Sequence, residues 1–281
     1  MRSLSSILLV WLCTLPTAFA SGEHALPPNA ERIWANLPFT NSMLMAWIAV
    51  GIIVLFCRAA TSKMALIPSG VQNFCEWVVE TLYDFLESIL GPYLVKKTFW
   101  FFASIFLFIL VSNVIGLFPG VGTIGRYDDH GRLVGFFRGG NADLNMTLAM
   151  SAVFFARWTY WAVLENGLKG FLAHIFAPKG KFHGVMLIFM VAIFLVVGLL
   201  EIISICVRPV ALTFRLFGNI YGGEQTMEKL MALVPSQLAF LPALPFYFLE
   251  LLVAFVQALV FMLLTAVFLR LICEHAGEEH H

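Results

Sequence analysis

The chain has 281 residues, 60% of them hydrophobic and only 12% charged, about half the ~25% usual in soluble domains. Basic and acidic residues balance at 17 each, so nothing points to a nucleic-acid partner. Several apolar runs approach the ~20 residues a helix needs to cross a bilayer, which argues against a soluble domain and for an all-α polytopic membrane protein.

The first stretch, MRSLSSILLVWLCTLPTAFASG, places Arg2 before a short apolar run, Ile7 to Leu15, and Ala18-Phe19-Ala20 before Ser21. That is the pattern of a secretory signal peptide, with a short uncleaved helix as the competing reading. Cleavage after residue 20 would leave 21–281 as a single membrane domain that starts outside the cytoplasm. Cys13, Cys57, Cys75, Cys206 and Cys273 form no C-x-x-C pair, so they read as apolar fillers, not as a disulfide framework or metal site.

Met43 to Cys57 is an apolar span closed by Arg58 and Lys63. From Pro68 to Leu90 the pattern changes. Val71, Phe74, Val78, Leu82, Phe85 and Ile89 recur at spacings of three and four, opposite Glu76, Glu80, Asp84 and Glu87. That amphipathic period predicts a helix along the membrane surface. Phe99 to Phe118 is the next span, and the glycine-rich, charged stretch from Gly120 to Asn141 reads as a loop. Leu144 to about Val163 is a third span, with Trp158, Tyr160 and Trp161 as an interfacial belt. Gly184–Leu233 and Leu244–Ile272 complete about five spans.

With the N-terminus outside, the inner loops hold Arg58, Lys63, Lys96, Lys97, Lys169, Lys179 and Lys181. The outer ones hold Arg126, Arg132, Arg138 and Lys229, partly balanced by Asp128, Asp129 and Asp143. The positive-inside rule thus favours N-out and C-in. Fifty residues from Gly184 to Leu233 would make a helix of ~75 Å, against a hydrocarbon core of ~30 Å. Either two spans with a turn or one tilted helix satisfies this. The absence of a loop-like cluster favours a tilted helix kinked near Arg208-Pro209, in a hairpin with the last span.

Between Gly184 and Gly223 the only charges are Glu201, Arg208 and Arg215. An arginine at mid-span costs ~2.5–3.5 kcal/mol, while a leucine contributes only ~0.3–0.6. Such groups usually face a bundle interior, a water-filled cavity or an ion pathway. These three are seven residues apart and keep one helix face with a drift of ~20° per step; Asn219 lies one turn from Arg215 on it. Glu224 points the other way. Glu250 and Gln257 share a face of the last span. The plainer readings are that Arg208 snorkels and that Glu201 pairs with it. Arg215 has no charged partner at i±3 or i±4.

RPVALTFRLFGNIYGGE closely resembles the signature helix of subunit a of F-type ATP synthases, the stator of the membrane rotary motor. The resemblance extends through LPFYFLELLVAFVQALVFMLLTAVFL at 244–269, ADLNMTLAMSA at 142–152 and SNVIGLFPG at 112–120. It implies that the last two long tilted helices form a hairpin against a rotor ring of c subunits, each with a mid-membrane carboxylate. It also implies that protons, with sodium as the alternative ion, pass through two offset half-channels to couple ion flow to rotation and ATP synthesis. Arg215 matches the essential stator arginine. Glu224, Asn219, Glu250 and Gln257, with Asn113 and Asp143 nearer the mouth, match the outer half-channel. Glu201 and Ser204 match the inner one. The implied partners are the c ring, b-type peripheral stalk subunits and, through them, the soluble catalytic head, in a bacterial inner membrane. No cofactor or metal is implied.

Two positions depart from the pattern. Glu250 stands where many relatives place a histidine, so Glu224 and Glu250 would be a carboxylate pair titrating jointly. Gly116 stands where some relatives have an acid. A self-contained channel or secondary transporter is the competing class, but such folds often carry internal repeats and none is visible. An intramembrane enzyme lacks a nucleophile or metal motif in the spans.

Overall fold

The structure, a computed structural model, describes residues 29–33, 39–62, 64–118, 121, 124–127, 133–176, 185–235, 238 and 240–274. The expected signal peptide lies outside the described residues. The described chain is dominated by five helices: α1 (Asn41–Thr61), α2 (Val71–Gly116), α3 (Leu144–Phe176), α4 (Val185–Ala232) and α5 (Phe240–Glu274). Four of them, all but α3, contain segments long and apolar enough to cross a membrane. At 33 residues, α3 has the length for it, but Asn145, Arg157 and Asn166 dilute its hydropathy.

α2 is two helices joined at Gly91, whose φ of 77° and ψ of 165° break the spiral just before Pro92. A left-handed φ is open to glycine at little cost, and proline cannot supply the N–H that would continue the ladder. The first arm is the expected amphipathic helix, with its buried line shifted to Leu82, Leu86 and Leu90; Val71 and Phe74 are exposed. A second glycine, Gly167 (φ 68°), breaks α3 in the same way.

Of the two readings left open for 184–233, the single helix is the one found. α4 runs unbroken for 48 residues with Pro209 inside it, about 72 Å at 1.5 Å per residue. Within the loop expected over 120–141 the chain forms a two-stranded ribbon, β1 (Gly125–Tyr127) antiparallel to β2 (Leu133–Gly135). A short 3-10 turn, Gly140–Ala142, then leads into α3.

α2 packs on α5, α3 on α4, α1 on α2, and α4 on α5. In lipid no hydrophobic effect drives helices together, so close packing and interhelical hydrogen bonds must do so. α5 supplies a fully buried row at four-residue spacing, Ala254, Ala258, Met262 and Ala266, and Phe102 and Ile109 of α2 are buried in one cluster with the last three. Bonds from side chains to backbone stitch one end of the bundle: Trp158 Nε1 to Phe268 O, Asn166 Nδ2 to Ile272 O and Arg270 Nη1 to Ile89 O. Lys97 and Glu165 pair at 2.7 Å at that same end.

Candidate functional site

The site is organised along α4. Arg215 is exposed on α4, a helix that also exposes Val207, Val210 and Phe214. Among the described residues it has no ion pair or hydrogen bond. Asn219, one turn on, is exposed as well, and so is Ser204. α5, which packs on α4, likewise exposes Phe248, Leu252 and Phe255. A permanently charged guanidinium thus stands in a wide apolar surface.

Two polar groupings flank Arg215. About 10 Å along the helix axis, Arg208 donates to Glu201 Oε1 at 3.3 Å and stacks over the Phe268 ring at 4.8 Å. The plainer sequence reading of Glu201, a bridge to Arg208, is therefore the geometry observed. This grouping lies toward the Lys97–Glu165 end.

About 14 Å the other way is Glu224, turned off the Arg215 face as the nine-residue spacing requires. Its Oε2 is buried without a hydrogen-bond partner among the described residues. Its Oε1 sits so close to Gly139 that a Cβ there would stand 2.8 Å from it. Glu250 of α5 is buried at 5% exposure, and its carboxylate lies where a Cβ on Gly223 would be. Residues 223 and 139 are glycine because these carboxylates occupy the space. The charges of Arg138, Glu250 and Glu228 all act on Glu224.

A chain of buried polar groups leads from there toward the α1–α3 end. Asn113 Nδ2 donates to Ala254 O at 3.1 Å, one turn from both Glu250 and Gln257. Asn141 Nδ2 donates to Asn113 Oδ1 at 2.5 Å. Asp143, 3% exposed, is the N-cap of α3: its Oδ1 accepts from Asn145 N and Ala30 N, both at 3.2 Å. Its Oδ2 accepts from Ser42 Oγ at 2.7 Å. Short polar side chains are favoured at such caps because they satisfy orphan helix N–H groups.

The structure thus joins Glu224, Glu250, Asn113 and Asp143 into one buried region, with Gln257 half-buried beside it. It keeps Arg215, Asn219 and Ser204 apart on the exposed face, and Glu201 with Arg208. Sequence reasoning passed over three members: Ser42, Asn141 and Arg138, the last counted only as a loop charge. Arg138 is 5% exposed and donates to Asn29 O at 2.9 Å and Ala142 O at 3.0 Å. Its position five residues before Asp143, beside two glycines, was the available signal.

A family model described as ATP synthase A chain matches residues 43–270. The chain belongs to the ATP synthase subunit a family. Among curated relatives, the ATP synthase subunit a of Solidesulfovibrio magneticus is 33% identical over 236 residues, covering 84% of this chain and 85% of that protein. The corresponding subunit of Trichlorobacter lovleyi is 31% identical over 230 residues, covering 82% and 86%. That of Nitratidesulfovibrio vulgaris strain DP4 is 33% identical over 230 residues, covering 82% and 84%. The membership and the apolar helices identify a multi-pass membrane subunit of the ion-translocating sector, working in a complex with other ATP synthase subunits.

Proposed function

We propose that the chain is the stator that passes protons to and from a rotating ring of carboxylate-bearing subunits, coupling ion flow to ATP synthesis. The observation that carries this reading is Arg215, exposed on the apolar face of the α4–α5 hairpin. A guanidinium stays charged under all working conditions. Left facing hydrocarbon it is costly; facing a ring it meets a passing carboxylate and favours its ionised form. The most apolar window of α4 is only 11% buried within the chain, which leaves that face for a partner.

The two flanking groupings serve as offset half-channels. Glu224, Glu250, Gln257, Asn113 and Asp143 form the outer one, joined by Asn219 from the exposed face, and Glu201 the inner one, joined from that face by Ser204. Arg215 between them prevents a proton from passing straight through and obliges it to travel on the ring. Each unit charge crossing gains ~2.3 kcal/mol per 100 mV, too little for one ATP, so several ions must be gathered per turn. The positive-inside count supports an outward N-terminus and an inward C-terminus in a bacterial inner membrane. A b-type stalk and the catalytic head complete the partner set.

The docking of the ring is testable by cross-linking. Single cysteines at positions 214 and 248, in a background with native cysteines replaced, should form disulfides with cysteines on the outer helix of the ring subunit. A self-contained channel, the competing class, predicts no cross-link at either position.

A further inference from the structure

We propose that Arg138 is the cationic partner of the Glu224–Glu250 carboxylate pair, a charge-positioning residue of the outer half-channel supplied by the connection between α2 and α3. The inference rests on the proton-stator reading above and adds a residue to it. The Glu250 carboxylate lies against Gly223, the residue before Glu224, and its charge acts on Glu224; like charges brought close in a low-dielectric interior call for a cation or a shared proton. Among the described residues, the charges that act on Glu224 are Glu250 from α5, Glu228 from its own helix and Arg138 from the loop, and of these Arg138 is the cation.

Its delivery is built into the backbone. Ala142 O and Asn29 O hold the guanidinium, and the residue after it, Gly139, has Glu224 Oε1 2.8 Å from where its Cβ would stand. Gly139 in turn packs on α2, where a Cβ at Gly116 would stand 3.0 Å from its Cα. Glycine at 116 and at 139 therefore allows the loop to descend far enough for Arg138 to reach the pair. The chain carries an acid at 250 and brings its positive charge from a different element.

The test uses the assembled complex in inverted vesicles, with ATP-driven proton pumping followed across pH. Arg138→Gln should lower pumping per assembled complex about tenfold, the ratio that ~1.4 kcal/mol produces. Arg138→Gln with Glu250→His should restore much of it, with a pH profile altered by the imidazole, which titrates near ~6.5. Unimpaired pumping by Arg138→Gln would overturn the proposal, and so would a double variant no better than the single. If Arg138→Gln prevents assembly, Arg138→Gln with Glu224→Gln separates the causes. Recovered assembly supports charge pairing, and continued failure assigns Arg138 to its two carbonyl bonds and overturns the proposal. Arg215→Ala run alongside must abolish pumping; were it to pump, the stator reading would fail, whatever Arg138 does.

Discussion

The Glu250 carboxylate lies against the backbone of Gly223, in the volume that a side chain at 223 would need. This contact holds α5 against α4 one residue before Glu224, near enough for the Glu250 charge to act on that acid. Gly223→Ala should push Glu250 away, at an overpacking cost of ~1–3 kcal/mol. Pumping should fall severalfold in Gly223→Ala complexes and recover partly when Glu250→Asp shortens the competing side chain. Equal activity in the wild type and Gly223→Ala would remove the contact from the mechanism.

Glu250→Gln keeps the shape of the side chain and deletes its titration. Slower pumping and a shifted pH profile are expected, because coupled carboxylates titrate as a pair. A profile that stays in place would take Glu250 out of the proton route.

How much of this was legible in the sequence differs between elements. Arg215 stood out because a charge amid Phe214, Leu216 and Phe217 has no local partner, and its isolation in the folded chain is that same fact. The continuity of α4 through Pro209 could also be read, since no loop-like cluster interrupts the apolar run. Periodicity reports only local geometry, however. It could not bring Ser42 to Asp143, 101 positions away, or Arg138 to Glu224. It missed the ribbon at Gly125–Gly135 because strands of three residues carry too few alternations to register. On the first arm of α2 it found the helix but set the buried line too early, with Val71 and Phe74 exposed and Leu82 to Leu90 carrying the burial, because periodicity fixes a spacing and not which turns a neighbour covers.

Asp143 anchors the arm at Ala30 and the start of α1 through Ser42, besides capping α3. Hydrogen bonds to a charged group are worth ~1.5–3 kcal/mol. Asp143→Asn should therefore loosen the N-terminal arm, seen as faster limited proteolysis near residues 29–33 in the detergent-solubilised complex. Ser42→Ala should show a smaller change in the same direction. Unaltered cleavage in Asp143→Asn would leave the carboxylate's charge without a structural role.

At the opposite end, the Lys97–Glu165 pair has a lysine side chain that is 47% exposed. Ion pairs this open to solvent add little to stability. Lys97→Gln is expected to leave pumping unchanged and to lower thermal stability by little or nothing. A large loss of coupled pumping would show that this end also belongs to the ion route.

The central claim is that Arg215 separates two half-channels and exchanges protons with the ring. Its most direct test is ATP-driven proton pumping in inverted vesicles carrying Arg215→Ala in an otherwise assembled complex, with a protonophore as the collapse control and with sodium present or absent. The account predicts that coupled pumping disappears while assembly persists. Pumping at the wild-type rate would contradict it.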